Sequence, residues 1–177
     1  MEQSKLRQLV FQGLDEFGVK CKKFSGALTV EILRCALKDY GIPVSSRDVF
    51  IRGISVELDL IVPKTRSPKY GLVYEPEDVL AALEVKELGS WGAQTLNQIK
   101  RNFELIQLIK GDIYCAYITL SERRGFKQAI TTESLGFPAY TLFWWKGNDV
   151  KDAEPSGDYQ RFLDDLRKIC SKDSDYA

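Results

Sequence analysis

The strongest constraint on the fold is an apolar run that carries charges in its second half. Residues 79–88 read VLAALEVKEL. The opening residues show no polar alternation, which is typical of a strand that is covered on both faces. Side chains alternate along a strand with a period of two, so Glu84 and Lys86 share one face. The run therefore predicts a buried strand with an acid and a lysine side by side near its end.

The composition excludes several kinds of catalytic site. The chain has 177 residues, of which 44% are apolar, and it has no histidine. This length suits one domain over residues 1–177. The absence of histidine excludes a Ser-His-Asp triad, a Cys-His pair and a His-ligated zinc site. The formal net charge of zero argues against a protein that coats nucleic acid through overall positive charge. Any catalysis must depend on carboxylates, lysine, hydroxyls or oxygen-bound metals.

The cysteines and the chain start favour a reducing, cytoplasmic setting. The four cysteines are widely spaced and form no CxxC pair, and three of them lie in apolar stretches, so we expect buried reduced thiols. No stretch is apolar and long enough to span a bilayer. The first residues, MEQSKLRQLV, carry charges where a secretion signal would need its apolar region.

Apolar periodicity predicts a mixed α/β domain with helices flanking a central sheet. The order of elements is α-α-β-β-β-α-β-β-α. Helices are predicted at residues 3–17, 27–40, 93–110 and 157–170. Strands are predicted at residues 48–52, 54–62, 79–88, 112–120 and 139–145. Residues 64–78, with two prolines and a glycine, are predicted to form an irregular loop.

Two successive strands bring acids to one face of the predicted sheet. In ISVELDLIV, alternation places Glu57 and Asp59 opposite an apolar face. The residues of that apolar face are Val56, Leu58, Leu60 and Val62. If the two strands pair, Asp59, Glu84 and Lys86 lie close together. Adjacent carboxylates are costly unless a positive group joins them, and a divalent ion such as Mg²⁺ does so. A solvated strand face or a structural ion pair is the alternative, and Glu57 could equally point to solvent.

The triplet alone is weak evidence. A chain of this composition should contain an acid-x-Lys triplet about twice by chance. The second occurrence, Asp149-Val150-Lys151, follows a Gly-Asn turn in a polar stretch, and no acid-bearing apolar strand precedes it. We interpret that occurrence as incidental.

Taken with its context, the first triplet resembles the PD-(D/E)XK nucleases. Asp59 on one strand and Glu84-Val85-Lys86 on the next, between an acidic helix and a long helix, are similar to the restriction-endonuclease-like core, α-β-β-β-α-β. The resemblance covers about residues 27–120, with extra N-terminal and C-terminal helices outside it. The proline that gives the family its name is absent, because Leu58 stands at that position.

The resemblance implies a Mg²⁺-dependent endonuclease that acts on DNA, with Mn²⁺ as a substitute metal. It implies that Asp59, Glu84 and the carbonyl of Val85 bind the metal and that Lys86 is the catalytic lysine. Two helical residues are expected to contribute, Glu31 as a further metal ligand and Gln98 as a polar catalytic residue. A surface charge is the alternative for Glu31.

Basic residues near the predicted strand ends are candidates for phosphate contacts. They are Lys64, Arg66, Lys69, Arg101, Arg123, Arg124 and Lys127. Solvated loops are the alternative for most of them. Cutting both strands of a duplex would most simply need a homodimer. The alternative functions are a catalytically silent nuclease-fold module for binding or assembly, and an unrelated α/β domain whose acids are incidental.

Overall fold

A central sheet of five strands has helices packed on both of its faces. The computed structural model describes residues 1–17, 22–64, 71–88, 92–123, 130–145 and 154–174. The helices are α1 (Gln3–Phe17), α2 (Lys22–Asp39), α3 (Ala93–Ile109), α4 (Thr132–Leu135) and α5 (Asp158–Ser174). The strands are β1 (Phe50–Ile51), β2 (Leu60–Pro63), β3 (Val73–Tyr74), β4 (Val79–Leu88), β5 (Tyr114–Arg123), β6 (Ala139–Trp145) and β7 (Glu154–Pro155).

The sheet is mixed, with a parallel centre and antiparallel edges. Its strand order is β2-β4-β5-β6-β7, in which β4, β5 and β6 run parallel while β2 and β7 run antiparallel to their neighbours. Both edge strands are short and end in proline, at Pro63 and Pro155. The strands β1 and β3 pair separately as a small parallel sheet. Burial of the central strands on both faces explains the continuous apolar run at the start of β4.

Alternation along the strands divides the apolar residues into two cores. On one face, Leu83 of β4 packs with residues of α1, α2 and α5. On the other face, Ala82 packs in the core that contains Ile99, Phe103 and Ile106 of α3. The spacing of these three α3 residues gives the helix one apolar stripe, and this stripe packs in the core on that face of the sheet.

The architecture predicted from the sequence is confirmed as a mixed α/β domain with flanking helices, whereas one strand prediction is wrong. Residues 54–57 are not strand, and β2 begins only at Leu60. Leu58 forms an isolated bridge with Val49 and the chain bends at Asp59. Leu58 therefore lies in the core beside α3, while Leu60 lies in the core on the opposite face. The predicted common face of the apolar residues fails because alternation does not continue through a bend.

Smaller differences concern short elements and thiols. The predicted loop contains β3 and a 3-10 turn at Pro76–Asp78, and α4 and β7 were not expected. Of the three described cysteines, only Cys115 is buried, while Cys35 is exposed and Cys170 is half-buried. The thiol prediction is thus wrong for Cys35, which lies on the solvent side of α2. Within the described residues, the helices are too short or too polar to cross a membrane.

Phe103→Ala is expected to lower the free energy of unfolding by about 3–5 kcal/mol, because it opens a cavity in the core beside α3. The Phe103 side chain is 1% exposed, and its ring centroid lies 5.2 Å from that of Phe137. Leu108→Ala, in the same helix but 81% exposed, is the control and should change this free energy by less than about 0.5 kcal/mol. Urea unfolding curves measure both changes, and equal effects would contradict the assignment of the α3 face.

Candidate active site

The candidate site lies where β2 begins beside β4. Leu60, the first residue of β2, is paired with Leu83 in the antiparallel register. Asp59 precedes the strand and so lies at the level of Glu84. The backbone N–H of Val85 donates to Asp59 Oδ2 at 2.7 Å. This charge-assisted hydrogen bond holds the Asp59 carboxylate against β4.

Lys86 joins the two carboxylates. Its Nζ lies 3.3 Å from Asp59 Oδ2 and also donates to Glu84 Oε1. The exposed fractions of the side chains are 15% for Glu84, 24% for Asp59 and 34% for Lys86, so all three are partly withdrawn from water. Charges in such a setting are screened by salt less than exposed charges are. The structure thus brings together the three residues at the centre of the sequence prediction.

Burial and neighbouring charge raise the pKa of Glu84. Withdrawal from water is the largest cause, the charge of Asp59 adds to it, and Lys86 offsets only part of the rise. The charge of the exposed residue Glu57 raises this pKa further. For Lys86, burial favours the neutral form, but the carboxylates of Glu84 and Asp59 outweigh it and raise the pKa. Lys86 is therefore an ammonium at neutral pH. The surroundings of Glu84, in contrast, disfavour the ionised form of its carboxyl group.

The face of the sheet that carries these charges continues into a row of buried hydroxyl residues that the sequence prediction does not include. Lys86 is paired in register with Thr119 of β5, and Ser121 lies two residues further on the same face. Thr119 Oγ1 donates to the Ser121 carbonyl at 3.3 Å, whereas Ser121 Oγ is buried and has no hydrogen-bond partner among the described residues. The signal in the sequence is the polar residue at every second position of TLSER.

The donor set at this site fits a hard divalent cation. Glu84 on β4 and Asp59, just before the neighbouring strand β2, offer carboxylate oxygens that contact the same ammonium. Mg²⁺ is commonly held by one or two carboxylates with water completing its shell. In the described part of the chain, no three Asp, Glu, Cys or His side chains form a group that could hold a metal. At this site, two carboxylates with main-chain oxygen and water are therefore the available donors.

The two helical residues expected at the site are engaged elsewhere. The Glu31 carboxylate accepts hydrogen bonds from Arg34, one turn along α2, and this contact lowers the pKa of Glu31. The exposed Gln98 side chain donates to Asn102 Oδ1 at 2.7 Å along α3. Both side chains are thus satisfied within their own helices, and the structure gives no contact between either of them and Asp59 or Glu84 in the part of the chain that it describes.

The basic residues divide into those near the site and those away from it. Lys64 follows the far end of β2, roughly 17 Å from Asp59 by the rise per residue of a strand. It lines a cavity of about 500 Å³ at the beginnings of β4 and β5. Arg101 is exposed on α3, and Arg123 ends β5. Four of the predicted basic residues, Arg66, Lys69, Arg124 and Lys127, lie outside the described residues.

Comparison with known proteins supports the fold. No family model matches the chain, and no curated protein matches its sequence. Among solved structures, the chain is similar to NucC from P. aeruginosa ATCC27853 in its cAAA-bound form, with a TM-score of 0.65. The likeness covers 94% of this chain and 88% of that one at 9% sequence identity. The two chains share a fold. At this identity the likeness does not extend to activity or ligands.

Glu84→Gln is expected to raise the free energy of unfolding of the metal-free protein at neutral pH. Folding raises the pKa of Glu84, so the wild type loses stability as the pH rises from the pKa of the unfolded chain to that of the folded protein. Glutamine has no charge to bury, so its advantage is present near pH 7 and disappears below about pH 4.3, the pKa of an unperturbed glutamate. Denaturant titrations with a chelator, near neutral pH and again at about pH 3.5, measure the difference.

Glu104→Gln, at an exposed position of α3, is the matched control and should shift the free energy of unfolding by less than about 0.5 kcal/mol at either pH. A lower stability of Glu84→Gln at neutral pH would mean that the contact with Lys86 outweighs the burial of charge, contrary to the direction inferred here.

Proposed function

We propose that the chain is a metal-dependent endonuclease of the PD-(D/E)XK type that hydrolyses phosphodiester bonds in DNA. The observation that carries the proposal is the cluster in which one ammonium, that of Lys86, contacts the carboxylates of Asp59 and Glu84. Glu84 and Lys86 lie on β4 and Asp59 directly precedes the neighbouring strand β2, in a fold shared with NucC. The three residues stand at the Asp, Glu and Lys positions of the family pattern, although Leu58 replaces its proline. Because the chain has no histidine, catalysis must depend on carboxylates, lysine, hydroxyls or oxygen-bound metals, and this cluster supplies the first two.

Asp59 and Glu84 would hold Mg²⁺, or Mn²⁺ in its place, with the carbonyl of Val85 as a further donor. When bound, such an ion would supply positive charge at the phosphate and would acidify a water molecule. Each carboxylate brings its own property to this task. Asp59 is oriented by the N–H of Val85, so little reorganisation is needed. Glu84 is disfavoured as a free anion by its burial, so a cation nearby stabilises it.

Lys86 is the residue that we assign to the chemical step. Its pKa is raised by the neighbouring carboxylates, which outweigh its burial, so it acts as a cation and a hydrogen-bond donor. An ammonium at this position can orient the attacking water or donate to a phosphate oxygen. It also stabilises the negative charge that grows in the transition state. Arginine would replace it poorly, because the planar guanidinium has a different shape and donor geometry.

We propose that basic residues on α3 and at the end of β5 contact nucleic acid. Arg101 on α3 and Arg123 at the end of β5 are the candidates among the described residues. Arg66, Lys69, Arg124 and Lys127 stay predictions from the sequence, because they lie outside the described residues. Lys64 lies at the opposite end of β2 from Asp59, so we assign it no contact near the scissile phosphate. Cleavage of both strands of a duplex would need two copies of the chain, and we propose a homodimer for that reason.

One observation favours a second candidate, a nuclease-fold module that binds or assembles without catalysis. The three side chains satisfy each other as an ion-paired group, and the described residues contain no larger acid cluster. A purely structural ion pair would have this appearance. Activity measurements on variants distinguish the two functions.

Lys86→Ala and Asp59→Ala are each expected to lower the rate of plasmid cleavage by roughly 10²–10³-fold, since each removes a preorganised charge from the reacting centre. Conversion of supercoiled plasmid to nicked and linear forms is measured with Mg²⁺, with Mn²⁺ and with chelator alone. The wild type should cut only when metal is present. Lys5→Ala, at an exposed position of α1 on the opposite face of the sheet, is the control and should cut like the wild type.

Two results would contradict the nuclease proposal. One is cleavage that survives both substitutions, which would indicate a contaminating enzyme or a different site. The other is a folded wild type that fails to cut supercoiled, linear and single-stranded DNA in the presence of either metal, which would favour the silent module.

A further inference from the structure

The ammonium of Lys86 occupies the position in which a cation would contact both carboxylates. Lys86 Nζ lies 3.3 Å from Asp59 Oδ2 and donates to Glu84 Oε1. A lysine ammonium has three donors, so two of the three are directed at these oxygens. Asp59 Oδ2 also accepts the N–H of Val85 at 2.7 Å. A second cation bridging the same oxygens would have to share them with Lys86.

Two positive groups cannot share these oxygens at low cost. An ammonium and a divalent ion a few ångströms apart repel each other, and the partly buried setting screens that repulsion weakly. The carboxylates belong to the strand β4 and to the residue that precedes β2, and the register between these strands fixes their backbones. Lys86, in contrast, is held only through a flexible four-carbon stem. Lys86 is therefore the member of the group that can move.

We propose that Lys86 is an internal counter-ion that holds the two carboxylates in the metal-free protein and is displaced from them when a divalent cation binds. The inference rests on the proposed function, and it adds an order of events to it. While its donors are directed at Asp59 and Glu84, Lys86 has little to offer a phosphate or a water molecule. Its displacement frees these donors, so the catalytic lysine becomes available only in the metal-loaded site.

Loss of the Lys86 ammonium should have opposite effects on metal binding and on catalysis. Removal of Lys86 is expected to slow cleavage by roughly 10²–10³-fold, yet it also removes the competitor for the carboxylates. Charge-assisted hydrogen bonds of this kind are each worth at least about a tenfold factor in an equilibrium constant. Lys86→Met is therefore expected to bind Mn²⁺ about tenfold more tightly than the wild type, or tighter still. Calorimetric titration of MnCl₂ into the metal-free full chain, without nucleic acid, measures this change.

Three variants serve as controls. Lys86→Arg keeps the charge and can pair with both carboxylates, so its affinity for Mn²⁺ should not exceed that of the wild type. Lys5→Met removes a positive charge from an exposed position of α1 and should leave the affinity unchanged. Asp59→Asn in the Lys86→Met background should abolish the gain, which locates the tighter binding at this pair of carboxylates.

The outcomes separate the two proposals. If Lys86→Met does not fold, Lys86→Gln replaces it, because glutamine keeps a neutral donor for the carboxylates. Tighter binding by either variant, with no gain in Lys86→Arg, supports displacement. Unchanged or weaker binding by the folded variant overturns displacement alone, because the metal then uses oxygens that Lys86 does not occupy. If neither the wild type nor the variant binds Mn²⁺, the metal site is overturned, and the proposed nuclease with it.

Discussion

The pairing of β2 with β4 is the interaction on which the candidate site depends. Side chains change face with every residue, so a slip of one position would turn Asp59 away from Glu84 and Lys86. The register is fixed by the match of Leu60 with Leu83 in the core beside α1, α2 and α5. The hydrogen bond from the Val85 N–H to Asp59 continues this pairing one residue beyond the strand. An apolar contact thus determines the position of a polar group.

The pairing of β2 with β4 stabilises the fold, but it also brings two carboxylates together at the site. Burial disfavours the ionised form of Glu84 and raises its pKa, and the charge of Asp59 adds to the cost. The two cores on either face of the sheet are large enough to tolerate this local cost. A site that is less stable than its scaffold is common where charges are arranged for binding or catalysis. Ser121, with its buried hydroxyl unsatisfied within the described chain, lies on the same face and fits this pattern.

Much of the fold and the centre of the site could be predicted, because both follow from periodicity. The long elements β4, α3 and β6 have strong patterns and lie within one residue of their predicted bounds. Asp59, Glu84 and Lys86 could be placed together because alternation and strand pairing are sufficient to do so. Alternation also misled the prediction, since ISVELDLIV has a regular pattern although the chain bends at Asp59. A bend set by tertiary contacts leaves no trace in a period-two pattern.

Spacing alone could not show whether Glu31 and Gln98 reach the site, because each side chain bonds to a neighbour in its own helix. Arg34 lies one turn after Glu31, and Asn102 lies one turn after Gln98, so each was available for a contact within its own helix.

The pairs β1 with β3 and β6 with β7 involve two residues on each strand. Elements so short depend on contacts distant in sequence and have no periodic signal of their own.

Both edge strands of the sheet end in proline, and this limits how another chain can pair with them. An unpaired strand margin is a template on which another chain can add a strand, and such addition leads to aggregation. Here β2 has four residues and β7 has two, and each ends in a proline, whose nitrogen has no hydrogen to donate. At β2, Ser45 already accepts the Ile61 N–H and donates to the Ile61 carbonyl. Addition of a strand from another chain is therefore disfavoured at both edges of the sheet. Contacts with other macromolecules are left to side chains of helices and loops, where charge and shape can discriminate between partners.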